Sequence, residues 1–229
     1  MVNNRQESLI TVANPRSPVS EAYRTLRTNL EFSSLDKPLK TMVVTSAAPE
    51  EGKSTTLANL AVAIAQGGKK IILVDCDLRR PSQHQIFGAR NGRGLTTMVV
   101  DDEAMKTPPF QETGIEGLRL LPSGPLPPNP AELLASRRME EIISLLKEQA
   151  DIVLFDAPPI IAVTDAAVLS SKVDGVLLVI NAGGTKRDHA QNAKTLLEKV
   201  NARLVGVVLN NVRFDTSLHR YYAEQDQIG

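Results

Sequence analysis

Short runs of Val, Ile and Leu alternate along the chain with longer stretches in which apolar residues recur every three or four positions. The runs at 41–45 (TMVVT), 71–75 (IILVD), 118–121 (LRLL), 152–156 (IVLFD), 176–180 (VLLVI) and 204–209 (LVGVVL) are mostly continuous rather than alternating. Such runs predict strands buried on both faces, as in a parallel sheet. Between the first two, Leu57, Leu60, Ala61, Ile64 and Ala65 share one helix face, and that helix stops at Gly67-Gly68. Ser17-Pro18 opens a helix through about Phe32. Asn129-Pro130 with Glu132 predicts a second capped start. Thr185 with Asp188 repeats that signal before Ala190, Ala193, Leu196, Leu197 and Val200. Regular alternation of strand and helix predicts an α/β fold, a mostly parallel β-sheet with helices on both faces. Residues 1–17 read as a flexible N-terminal arm, 18–212 as one domain, and 213–229, which lose all periodicity, as a mobile tail.

Composition narrows this picture. The 229 residues are 42% hydrophobic, enough for one well-buried domain. Lys and Arg total 26 against 26 Asp and Glu, a balance that argues against a general nucleic-acid binder. Arg79-Arg80 and Arg137-Arg138 then read as solvated faces. No apolar run approaches the roughly 18 residues needed to span a bilayer, which points to a cytoplasmic protein. The single cysteine, Cys76, rules out a disulfide framework, and His84, His189 and His219 have no mutual metal-ligand spacing. Aromatics are only 3%, yet Tyr221 and Tyr222, two of the three tyrosines, sit in the last nine residues. A polar tail cannot easily bury two rings, so something other than core packing is expected to place them there.

The chemistry concentrates at Ala47-Ala48-Pro49-Glu50-Glu51-Gly52-Lys53-Ser54-Thr55, directly after a predicted strand and opening a predicted helix. Apart from Ala47 at its first position, this is the P-loop pattern. Backbone N–H groups and the helix N-terminus cradle phosphates, Lys53 reaches the β- and γ-phosphates, and Ser54 offers its hydroxyl to Mg²⁺. Two other strands end in aspartate: ILVD at Asp75, with Asp77 just past the tip, and VLFD at Asp156. In open parallel sheets ligands bind beyond the carboxyl ends of the strands, so all three carboxylates are expected to converge on the P-loop. A hydrophobic run ending in Asp is the usual acceptor for Mg²⁺ or its water.

Together these motifs resemble the bacterial tyrosine kinases: Walker A at 47–54, Walker A′ at Asp75/Asp77/Arg79, and Walker B at Asp156/Pro158/Pro159. The likeness runs from Ser20 to about Asn210 and includes SGPLPPNPAELL. It implies a P-loop kinase domain over 18–212, related to the MinD/ParA ATPases, that uses ATP and Mg²⁺. By this resemblance Asp77 is the base for a tyrosine hydroxyl, Asp75 and Asp156 organise Mg²⁺ and its waters, and Asn210 contacts adenine. It is closest to the form in which a free cytoplasmic kinase is activated by a separate transmembrane protein and governs capsule or exopolysaccharide synthesis. The resemblance also implies protein tyrosine substrates, a cognate tyrosine phosphatase and peripheral placement at the inner membrane face. Tyr221 and Tyr222 become phosphoacceptors, reached in trans, with Tyr23 the internal alternative.

Glu21-x-x-Arg24-x-x-Arg27 keeps its three side chains near one helix face. Spacing alone favours an intrahelical pair; the resemblance implies ring-forming contacts between subunits. One departure lies in the loop, where Glu50 replaces a glycine of the family's Pro-Gly-x-Gly-Lys, costly if that position needs a positive φ. The competing readings are a MinD/ParA-type ATPase switch, whose extra P-loop lysine is Ala48 here, and a weakly catalytic ATP-binding scaffold docking on a membrane partner.

Overall fold

A computed structural model describes residues 9–33 and 35–212. In chain order they form α1 (Ile10–Ala13), α2 (Pro18–Ser33), β1 (Thr41–Ser46), α3 (Lys53–Gln66), β2 (Ile71–Asp75), α4 (Gln83–Ile86), α5 (Leu95–Val100), α6 (Asp102–Lys106) and β3 (Gln111–Glu112). There follow β4 (Leu118–Leu121), α7 (Pro130–Ala135), α8 (Arg137–Gln149), β5 (Ile152–Asp156), α9 (Asp165–Ser170), β6 (Gly175–Asn181), α10 (Arg187–Lys199) and β7 (Leu204–Asn210). The sheet runs β3-β4-β2-β5-β1-β6-β7, parallel throughout except that β3 pairs antiparallel with β4.

Each central strand divides its side chains between two cores. Val43, Ile72, Val74, Val153, Phe155, Val176 and Leu178 pack on one face with Met139, Ile142, Leu146 and Leu169 from α8 and α9. Their neighbours Met42, Val44, Ile71, Leu73, Leu154, Leu177 and Val179 pack on the other with Leu57, Leu60, Ala61 and Ile64 of α3. Continuous apolar runs are therefore required: in a sheet covered on both sides, no position of a central strand faces water.

Ser17 caps α2 as its sequence predicts, accepting the Ser20 N–H at 3.1 Å. Two predicted caps are not formed. Asn129 donates its side-chain amide to Glu132 at 3.2 Å instead of accepting a backbone bond. The cap position of α10 belongs to Lys186, and the Thr185 hydroxyl is used elsewhere. The expected arm also differs from Leu9 onward. Thr11 is buried and donates both N–H (3.1 Å) and hydroxyl (2.9 Å) to Asn59 of α3, so α1 is docked on the domain. Residues 1–8 and the expected tail 213–229, with Tyr221 and Tyr222, lie outside the described residues.

Candidate active site

The chain leaves β1 through the loop Ala47–Gly52 and enters α3 at Lys53. Two backbone positions fix the loop's path: Gly52 at φ +81° and Glu50 at φ +62°. At Gly52 a Cβ would lie 2.2 Å from the Asn210 side-chain nitrogen, so glycine is required for space as well as for φ. Glu50, exposed, accepts the left-handed strain that the missing glycine would have avoided.

Glu51 is turned inward. Its carboxylate accepts the Ala48 N–H at 2.9 Å and the Thr185 hydroxyl, and its carbonyl accepts the Asn210 amide at 2.9 Å. The tips of β6 and β7 thus clamp the loop from one side. This is why Thr185 does not cap α10.

On the other side β2 and β5 are adjacent and in register, Asp75 opposite Asp156, so two carboxylates sit side by side. Both are fully buried, and Asp77 is 5% exposed. Lys53, 9% exposed, reaches between them: Nζ lies 2.9 Å from Asp156 Oδ1, 3.0 Å from Asp77 Oδ2 and 3.0 Å from Ser54 Oγ. Burial alone would push the Lys53 ammonium down; Asp156 and Asp77 together hold it above the usual lysine range. Asp75 receives no ion pair among the described residues. Burial first, then the neighbouring Asp156, pushes its carboxyl up to about 8, against the Gln83 N–H and Lys53. Asp75 also accepts the N–H groups of Ser82 (3.0 Å) and Gln83 (2.9 Å), fastening the start of α4.

Gln83 closes the floor. It is fully buried and its Nε2 donates to Asp156 Oδ2 at 2.7 Å and to the Ser54 carbonyl at 3.1 Å. Its Oε1 has no hydrogen-bond partner among the described residues. At the rim, Arg79 forms a bidentate pair with buried Asp165 of α9, 2.9 and 3.0 Å.

These residues fit nucleotide and Mg²⁺. The loop backbone leads into a 14-residue helix whose first N–H groups face the same end of the sheet. Three buried carboxyl groups face one lysine, which pairs only with Asp77 and Asp156, and a divalent cation fits among these oxygen donors. Among the described residues no His, Cys, Asp and Glu group suffices to hold a metal alone. Mg²⁺ takes one or two carboxylates, often through water, plus substrate phosphates.

The CobQ/CobB/MinD/ParA nucleotide binding domain matches residues 42–228. Tyrosine-protein kinase YwqD of Bacillus subtilis strain 168 is 44% identical over 222 residues, 96% of this chain and 93% of its own length. The chimerical protein CapA2B2 superposes with a TM-score of 0.86 at 40% identity, each chain 91% covered. The kinase domain of Escherichia coli tyrosine kinase ETK gives 0.85 at 32%, covering 90% of this chain and 81% of that one. This chain belongs to the bacterial tyrosine kinases. MinD of Pyrococcus horikoshii OT3, complexed with Mg-ADP, shares the fold at TM-score 0.61 and 23% identity, over 74% of this chain and 69% of that one.

For a bacterial tyrosine kinase the predicted residues fall into three groups. Lys53, Ser54, Asp75, Asp77 and Asp156 are brought together, with Ala47 to Gly52 as one loop leading into the first turn of α3 and Asn210 against it. Lys53 is buried. Glu21 and Arg24 form the intrahelical pair at 2.6 Å, while Arg27 donates to the Ala63 carbonyl at 2.9 Å and so anchors α2 on α3. Tyr23 is half-buried, its hydroxyl bonded to Thr56 and its ionisation pushed up by burial. Gln83 and Asp165 belong to no sequence motif and Thr185 reads only as a helix cap; each acquires its place at the site from tertiary contacts. Among the described residues no helix is long and apolar enough to cross a membrane.

Proposed function

We propose that the chain is an Mg²⁺- and ATP-dependent protein-tyrosine kinase that phosphorylates tyrosines, including its own Tyr221 and Tyr222 in trans between subunits. The observation that carries this reading is the position of Asp77: just beyond the tip of β2, 3.0 Å from the P-loop lysine and beside the buried Asp75–Asp156 pair. A carboxylate there can take the proton of an acceptor hydroxyl next to a bound phosphate.

In this reading Mg²⁺·ATP supplies the phosphoryl group and neutralises its charge when bound. Lys53 leaves its carboxylate partners for the β- and γ-phosphates, where its charge is worth most as the transferring group develops charge. Ser54 holds the cation directly, and Asp75 and Asp156 hold it through water. Asn210 presents its amide beside the loop toward the base. Arg79 stands at the acceptor side. Glu21, Arg24 and Arg27 supply contacts between subunits of a ring. Family membership supports a transmembrane partner, a peripheral position at the inner face of the membrane, and control of capsule or exopolysaccharide synthesis; a cognate tyrosine phosphatase is part of the same proposal.

Asp77→Asn is expected to lower transfer to tyrosine far more than Mg²⁺·ATP binding, measured by phosphotyrosine blotting and calorimetry. Equal losses assign Asp77 to the cation instead. Tyr221→Phe/Tyr222→Phe is expected to lose most autophosphorylation and still hydrolyse ATP. Full labelling of that variant would move the acceptor elsewhere.

A further inference from the structure

We infer that Gln83 is a positioning residue of the magnesium site, holding Asp156 so that one defined carboxylate oxygen, Oδ1, faces the cation. Asp156 has two oxygens and two protein donors: Lys53 on Oδ1 at 2.9 Å and Gln83 on Oδ2 at 2.7 Å. The lysine is the partner that nucleotide draws away, since its ammonium must follow the phosphates. The amide is not. Gln83 is tied at three further points: its N–H to Asp75 at 2.9 Å, its Nε2 to the Ser54 carbonyl at 3.1 Å, and its place in the first turn of α4.

Chemistry fixes which end of the amide faces inward. Its two side-chain neighbours, the Asp156 carboxylate and the Ser54 carbonyl, are acceptors only, so the NH₂ group must point at them. Oε1 is then left as a buried acceptor without a partner among the described residues, beside Ser54 and Asp156. When Lys53 moves to phosphate, Gln83 keeps Oδ2 occupied and leaves Oδ1 as the oxygen free to accept from a cation-bound water. The same amide ties this carboxylate to the backbone of Ser54, whose hydroxyl is the other cation contact. Walker A and Walker B are joined through one side chain.

The inference rests on the nucleotide–magnesium reading of the site and not on tyrosine as acceptor. Gln83→Met keeps the length and removes the donor; Gln83→Glu keeps the shape and sets an acceptor against Asp156. Both retain the backbone bond to Asp75. The measurement is binding of a fluorescent ADP to the whole chain, once with magnesium and once with excess chelator. Gln83→Met is expected to lose about tenfold in affinity with magnesium, the usual scale for removing a partner that orients a metal ligand, and to match wild type with chelator. Gln83→Glu is expected to lose more, again only with magnesium. An equal loss in both conditions would make Gln83 a packing residue, and no loss in either would remove it from the site; both outcomes overturn the inference. If wild-type protein binds Mg²⁺·ADP yet labels no tyrosine, the kinase reading fails while this test still decides Gln83.

Discussion

At the floor of the site Lys53, Asp77 and Asp156 are all buried, and one ammonium serves two carboxylates. At the rim Arg79 serves one carboxylate, Asp165, through two bonds; Asp165 is fully buried while the arginine side chain is 42% exposed. The floor is short of positive charge and the rim is balanced. In the proposed mechanism the charge-poor floor takes the cation and releases its lysine to phosphate. A balanced pair with a planar fork has no reason to move, so the rim fixes α9 against the Walker A′ segment. Function that needs rearrangement is placed where the ion pairs are incomplete.

Changing Lys53 should show the largest effect. Lys53→Met is expected to abolish phosphoryl transfer and also to destabilise the nucleotide-free protein by about 3–5 kcal/mol, because two buried carboxylates lose their ammonium. Urea unfolding at neutral pH reads this. Unchanged stability would show that the floor tolerates its charge unaided and would dissolve the contrast with the rim.

At the rim the effect should be smaller and lopsided. Arg79→Ala strands a buried carboxylate, whereas Asp165→Asn leaves an arginine that solvent can reach. The former is expected to cost about 2 kcal/mol, below a fully buried pair because of screening, and the latter about 1 kcal/mol. Equal costs by chemical unfolding would mean that the pair acts only through packing.

The pH dependence sharpens the same contrast. The folded Asp75 carboxyl is raised from 3.8 to about 8, so the folded chain keeps a proton that the unfolded chain releases. Its contribution is fully present below the unfolded value and is lost as pH rises through about 8. Nucleotide-free protein should therefore become less stable from pH 6 to 9, and Asp75→Asn should flatten that part of the profile. A wild-type curve already flat there would contradict the crowding of Asp75 against Asp156.

The smallest change concerns the loop. Glu50→Gly removes left-handed strain at φ +62° and returns some backbone entropy to the unfolded chain. A net gain of about 0.5 kcal/mol is expected, with tighter nucleotide binding as a carboxylate leaves the phosphate side. Thermal unfolding with and without ADP measures both, and a loss of stability would mean that Glu50 makes a favourable contact in solution.

Most of the sheet and the charged floor were legible because they are written in local patterns. Doubly buried strands must be continuous apolar runs, and a strand ending in Asp beside a P-loop has one natural destination. Gln83 was not legible, since SQHQI is a single helical turn too short to carry a period, and its chemistry arises from its packing under Asp156. Asp165 reads in sequence as an acid in a helix's first turn, which it also is. Thr185 reads as a cap, but the inward carboxylate of Glu51 competes for the same hydroxyl and takes it. The docked α1 was hidden because the single turn Ile10–Ala13 is too short to carry a helical period.

The central claim is that this floor delivers phosphate to tyrosine rather than to water. Incubation of the purified chain, alone and together with the proposed transmembrane activator, with Mg²⁺ and γ-labelled ATP, followed by mass spectrometry of its tyrosine peptides, tests it most directly. The account predicts phosphotyrosine at Tyr221 and Tyr222, lost in Asp77→Asn while Mg²⁺·ATP still binds. Released phosphate with no label on any tyrosine would contradict it and leave an ATPase switch.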